Sequence, residues 1–300
     1  MTSLVARRQQ CQLLTALMLF ALLTSSLGQT SYEAEIQAWR QQREAKLKAD
    51  DGWLTVAGLF WLKEGTNTLG TDAKLDIVLP ANSAPGKVGS FDLQNGAVTL
   101  HVADGVAVSA NDQPVRELLV KSDADNQTPD SINVGELKLS IIKRGERFGL
   151  RVRDKNSRAR REFTGLRWFP ARDSYRVPAT FMPFDHPKEI TIINVLGDVV
   201  KMTSPGLLSF RLNGKDFQLQ PVLDEEKLFI IFRDLTAGKT TYPAGRFLYA
   251  NMPEKGKVVL DFNEAINPPC AFTQYATCPL PPKQNYLPIA IAAGELRYGH

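Results

Sequence analysis

The sequence predicts an all-β protein: an export signal, one short helix, then two β-rich units. Three observations carry this. Short alternating apolar segments recur from Thr66 to Phe262. Asn-Gly and Asp-Gly dipeptides fall between several of them, and these supply the positive φ angles of tight hairpin turns. After Gly52 the chain shows no helical pattern longer than the one before it.

The elements follow in order. Arg7 and Arg8 precede an apolar run from Leu13 to Leu23, roughly half of the ~20 residues that span a bilayer. Ser26-Leu27-Gly28 then offers small residues for cleavage, so residues 1–28 read as a signal peptide and the mature chain starts near Gln29. The protein is expected to be exported, periplasmic or secreted, with no membrane anchor after cleavage. Cys11 leaves with the signal, which pairs off the remaining two of three cysteines.

Residues 29–51 form the helix. Tyr32, Ile36, Trp39 and Leu47 share one face, and Thr30-Ser31-Tyr32-Glu33 has the form of a capping box. Asp50-Asp51-Gly52 ends it, with Gly52 expected in the left-handed conformation. In GWLTVAGLFWL, Trp53, Leu59, Phe60 and Trp61 read as core. Residues 52–165 then form the first β unit. FDLQ and AVTL flank Asn95-Gly96, LHVA and VAVS flank Asp104-Gly105, and LKLSIIK meets RFGLRVR through Arg144-Gly145-Glu146. SDADNQTPDS, without apolar periodicity, is a surface loop. RWFPARDSYRVPATFMPF is a crossover, with the boundary between Arg161 and Pro187. Residues 166–300 form the second unit: EITIINV and VVKMTS about Gly197-Asp198, LLSFRL and DFQLQPV about Asn213-Gly214, then KLFIIF, RFLYA and KVVLDF.

Composition narrows the function classes. With 43% hydrophobic and 23% charged residues the chain can build an ordinary core. The formal charge of +4 includes Arg7 and Arg8, so the mature body is near neutral and carries no footprint for nucleic acid. Arg158, Arg160 and Arg161 read as a solvated loop. No Walker or Gly-x-Gly-x-x-Gly motif calls for a cofactor. Only His101, His186 and His300 remain, too few for a histidine metal site, and no Gly-x-Ser-x-Gly elbow presents a serine.

Two resemblances add to this. GTNTLGTDAKLDIVLP, GSFDLQNGAVTL and VSANDQPV resemble the opening strands of forkhead-associated domains, over roughly residues 52–153. That family is a β-sandwich that binds phosphothreonine. Its phosphate-binding arginine falls here on Thr71, and NSAPGKVG, Asn82 to Gly89, lacks its Ser-x-x-His motif. The resemblance therefore implies a sandwich scaffold without the phosphate clamp. A second resemblance covers nearly the whole mature chain. GWLTVAGLFWLKEGTNTLG, IKRGERFGLRVRD, FRDLTAGKTTYPAGRFLYA and DFNEAINPPCAFTQYATCPLPPKQNYLPIAIAAGE look like the bacterial and archaeal family catalogued as domain of unknown function number 1684. It implies that these segments are the family signature, with no established activity.

Within the signature, Asp234, Asp261 and Glu295 are the candidate catalytic acids, able to do general acid and base work if they share a cleft. An Asp234–Arg246 pair pinning a loop, and an Asx-type turn at Asp261, are the plainer alternatives. Arg246, Tyr242, Asn263 and Asn267 are the candidate ligand-binding residues. Cys270 and Cys278 read as a disulfide in an exported protein. Metal ligation with Asp261 or Glu295, a thiol nucleophile, and buried free thiols stay open. Two function classes follow: a ligand-binding or structural protein of the cell envelope, or a hydrolase using the three acids. The ligand and the oligomeric state stay open.

Overall fold

The computed structural model describes residues 32–124 and 127–299. The expected export signal, Cys11, the first half of the expected capping box and His300 lie outside the described residues. Helix α1 spans residues 32–48. Tyr32, Ile36 and Leu47 are buried, as their spacing predicts, while Trp39 is half-buried and meets Trp168 edge-on at 5.7 Å. Gly52 corrects an expectation. Its φ is −67°, so it is not left-handed. Glycine is needed there for space: a Cβ would stand 2.2 Å from the Leu47 carbonyl oxygen.

The first unit contains β1 (Val56–Trp61), β2 (Gly65–Gly70), β3 (Ile77–Val78), β4 (Gly89–Gln94), β5 (Ala97–Val102), β6 (Ser109–Ala110), β7 (Gln113–Pro114), β8 (Glu117–Val120), β9 (Ile132–Val134), β10 (Leu137–Arg144) and β11 (Arg147–Asp154). They form a six-stranded sheet, β1-β11-β10-β9-β6-β7, and a five-stranded sheet, β3-β2-β4-β5-β8. Inward side chains of both sheets, among them Leu69, Phe91, Leu100, Leu139, Leu150 and Val152, make one core. The Asn95-Gly96 hairpin forms as read, with φ of 52° and 77°. Asp104-Gly105 does not join paired strands: β5 pairs with β8, and the chain crosses to β6 in the other sheet. The Arg116 guanidinium fixes that crossing by donating to the Ala103 and Val106 carbonyls. Arg158–Arg161 is a helical turn, α2, capped by the Ser157 hydroxyl, rather than a plain loop.

The second unit contains β12 (Arg176–Ile193), β13 (Val199–Leu212), β14 (Lys215–Leu219), β15 (Val222–Asp224), β16 (Lys227–Phe232), β17 (Arg246–Asn251) and β18 (Lys257–Asp261). Much of the expected crossover is strand β12, which pairs with β18 and then with β13 across an irregularity between Pro183 and Lys188. VVKMTS and LLSFRL are likewise one strand, β13, running through Pro205-Gly206. A four-stranded sheet, β14-β13-β12-β18, faces a three-stranded one, β15-β16-β17. KLFIIF explains the second sheet. Leu228, Ile230 and Phe232 point into the core shared with the four-stranded sheet. Phe229 and Ile231 point the other way, against Ile192, Phe247 and Cys278. A strand covered on both faces reads as a continuous apolar run.

Among the described residues the molecule is therefore all-β apart from α1 and short turns. The units touch through an Arg147–Asp198 ion pair at 2.6 Å, and through Thr273 donating to the Val56 carbonyl at 3.1 Å. Trp53, Leu59, Phe60 and Trp61 are half-buried: Phe60 packs against the sandwich core, as read, while Trp53 packs against the apolar clusters outside it; the sealed positions are Leu54 and Val56.

Candidate functional site

Strand β11 positions the site. Its alternation sends Leu150 and Val152 into the sandwich and leaves Arg151 and Arg153 on the outer face. On a free sandwich that face would meet water. Here Arg151 is only 8% exposed. Its guanidinium stands over the Trp53 ring at 5.2 Å, with that of Arg153 at 5.6 Å.

Between the units lies a cavity of about 370 Å³. The first unit and α1 bring Arg43, Trp53, Arg144 and Arg151 to it. The second brings the outer face of β16 and β17, Phe229, Phe247 and Tyr249, and the loop of Asn267, Thr277 and Cys278. Phe229 stacks on Tyr249 at 4.8 Å and meets Phe247 edge-on at 4.9 Å. Among the described residues no carboxylate lines this wall.

The three arginines differ in what they already hold. Arg43 pairs with Glu295 at 2.9 Å. Arg144 pairs with Asp123 at 2.9 Å and donates to Thr277 Oγ1 at 3.0 Å. Arg151 has no salt bridge, and its Nε and Nη2 are buried without a hydrogen-bond partner among the described residues. Burial, aided by the nearby positive charges of Arg144 and Arg153, pulls its pKa down to about 10. The Oδ1 of Asn267 is also buried and unpartnered.

The residues singled out in the sequence fall into separate places. Asp234 and Arg246 pair at 3.1 Å, each side chain 1% exposed. Asp234 also accepts from the Ile291 N–H at 2.7 Å and the Thr236 hydroxyl at 2.6 Å, while Arg246 donates to the Ala293 and Ile291 carbonyls. The pair thus pins the C-terminal segment onto the sheet. Glu295 is fully buried, holding Arg43 and accepting from the Asn267 N–H at 2.7 Å. Burial raises its pKa, against the pull of Arg43. Asp261 accepts from the Asn263 N–H at 3.0 Å in an Asx-type turn, and from Tyr32 at 2.7 Å. Asn263 donates to the Tyr32 hydroxyl at 2.8 Å and to the Arg172 carbonyl at 2.9 Å. Tyr242 donates to the Cys270 carbonyl at 3.1 Å, which lays the cysteine loop beside the loop of Asp234 and Arg246. Cys270 and Cys278 are adjacent free thiols, the Cys270 N–H donating to Cys278 Sγ at 3.1 Å. Of all these residues only Asn267 and Cys278 line the cavity.

Sequence reading missed Arg43, Arg144 and Arg151, and also Glu264, which burial and neighbouring Asp261 push to about 7. The signal for Arg151 was present in RFGLRVRD, where arginines alternate with core residues. Its burial depends on the second unit and has no local trace.

Comparison with known proteins gives the class. Residues 161–296 match the family described as Protein of unknown function (DUF1684). The match covers the second unit, less than the near-complete span expected. An uncharacterized protein from Haloarcula marismortui, solved by solution NMR, is 35% identical over 46% of this chain and 78% of its own, with a TM-score of 0.39. Two forkhead-associated domains, one crystallised with the intracellular domain of another protein and one studied for phosphothreonine-dependent interactions, are each 17% identical. They cover 32% of this chain and 97% and 92% of their own, both with TM-scores of 0.23. At such scores no residue role is carried over. Comparison with curated proteins gave no match.

Proposed function

We propose that this is an exported ligand-binding protein whose site is the cavity between the two β units. One observation carries the reading: the cavity wall joins aromatic side chains to a buried arginine with unfilled hydrogen bonds, while the three candidate acids are all engaged by protein partners and none lines the cavity. Ligand sites commonly combine an apolar wall with a few convergent polar groups at a junction between units. A hydrolase built on Asp234, Asp261 and Glu295 would need acids left facing the substrate. Each of the three instead accepts several hydrogen bonds that hold a turn, a helix or a terminal segment. Cys270 and Cys278 fit the same reading as a disulfide, formed in an oxidising compartment, that stiffens the proline-rich wall of the cavity.

The test is a thermal-shift screen of the mature protein against small molecules spanning neutral, cationic and anionic classes. The screen is repeated on Thr277→Trp, which fills the cavity from its rim. Stabilisation of the wild type by some class, lost in the filled variant, supports the reading. A screen in which no class stabilises the wild type overturns it.

A further inference from the structure

Arg151 is the group in the cavity whose chemistry is unfinished. A guanidinium taken out of water without hydrogen-bond partners is unfavourable, and removing it from the chain would relieve that. Nothing in the fold requires it: the pleat places it outside the sandwich core, and its neighbours in β11 already fill that core. Nε–H and Nη2–H lie on one edge of the guanidinium and form a fork that matches two oxygens of one oxyanion. That is the edge left without partners.

The other charges around it set the size of the missing anion. Arg43 and Arg144 are matched by Glu295 and Asp123. Arg153 stands beside Trp53 but does not line the cavity, so among the arginines that do, one positive charge remains, that of Arg151. Thr277 Oγ1 accepts from Arg144, so its own O–H is free to donate. The opposite wall is the Phe229, Phe247 and Tyr249 face, which holds no charge. A singly charged head on a flat apolar body satisfies both sides at once.

Resting on the cavity being the binding site, we propose that its ligand is a small organic acid with an apolar or aromatic body, whose carboxylate is held by Arg151. The volume suits a molecule of about the size of an aromatic acid, at the lower end of small-molecule sites.

Three probes of one shape test this by calorimetry on the mature protein: phenylacetate, phenylacetamide and phenyl phosphate. Phenylacetate is expected to bind at least 10-fold more tightly than the neutral amide, and no less tightly than phenyl phosphate at a pH where the latter is a dianion. Arg151→Lys, which keeps charge but loses the fork, should weaken phenylacetate at least 10-fold, and Arg151→Met should abolish it. Arg151→Met also gives a readout independent of any ligand: its unliganded melting temperature should equal or exceed that of the wild type. A clear fall would mark Arg151 as a scaffold residue and overturn the proposal. Equal or tighter binding of the amide would overturn the acid while leaving the cavity as the site. Preference for phenyl phosphate would overturn the single-charge assignment. If none of the three probes binds at millimolar concentration, the aromatic-acid proposal fails, and the broader screen then decides separately whether the cavity binds anything.

Discussion

The Arg246 guanidinium donates to the Asp234 carboxylate at 3.1 Å, with both side chains sealed from solvent. The two residues flank one loop: Asp234 follows β16 and Arg246 opens β17. Together they hold the Ile291–Ala293 backbone, so one ion pair locks three segments. Breaking a buried pair from one side strands the other charge, at about 3–5 kcal/mol. Asp234→Ala is therefore expected to lower the melting temperature by on the order of 10 °C in a chain of this size. Binding of any cavity ligand by the fraction that remains folded should be unchanged. Loss of ligand binding at unchanged stability would instead place Asp234 in a site.

Tyr32 makes the corresponding bond for the helix. Its hydroxyl donates to Asp261 and accepts from Asn263. Burial and the Asp261 charge both push the phenol pKa up, so the hydroxyl stays protonated and remains a donor. Tyr32→Phe leaves the Asp261 Oδ2 oxygen without its donor, while the Asn263 amide keeps the Arg172 carbonyl and Asp261 Oδ1, and the loss should cost about 1–3 kcal/mol. The urea midpoint reads this directly. Limited proteolysis should cut first at α1, because its N-terminal tether is the bond removed.

How much was legible follows from where the deciding contacts lie. Hairpin dipeptides such as Asn95-Gly96 and Asn213-Gly214 act within four residues, and their turns form as read. Asp104-Gly105 carries the same local signal, but the strand after it pairs in the other sheet, a choice set by distant strands. Gly52 was legible as a necessary glycine, not for its reason, since the carbonyl it avoids is an α1 atom. Asp234 with Arg246 was legible as a pair because they are near in sequence, Asp234 just past β16 and Arg246 opening β17. Arg43, Arg144 and Arg151 meet only when α1, the first unit and the cysteine loop converge, and no spacing in the sequence encodes that.

Glu264 gives the protein a pH dependence. Burial first, then the Asp261 charge, raise its pKa from the ordinary 4.5 to about 7. Between those values the folded state holds a proton that the unfolded state has released. Stability linked to this group is thus fully present below about pH 4.5 and is lost as pH rises toward 7. Glu264→Gln removes the titration. The variant should melt close to the wild type at pH 5 and several degrees above it at pH 8. The same difference at both pH values would show that Glu264 acts through packing rather than charge.

The cysteine pair yields the last expectation. The side-chain bond between the two thiols is the main influence: it lowers the Cys270 pKa and, with burial, raises that of Cys278. Cys270 is half-buried and Cys278 only 4% exposed. In the reduced protein Cys270 is therefore the thiol that ionises and attacks. On meeting a disulfide-bearing oxidant it forms a mixed disulfide, which Cys278 resolves. Each thiol gives up one proton, and the two electrons pass to the oxidant as it leaves as two thiols. Thiol titration of unreduced protein isolated after export should find no free thiol. After mild reduction, iodoacetamide should label Cys270 well before Cys278. The loop closed is short, so reduction should cost at most about 2–3 kcal/mol. Its larger effect should be on the cavity, because Cys278 is part of the wall: ligand affinity should fall on reduction by more than stability does. Two titratable thiols in that unreduced protein would refute the disulfide, and with it the idea that oxidation sets the shape of the site.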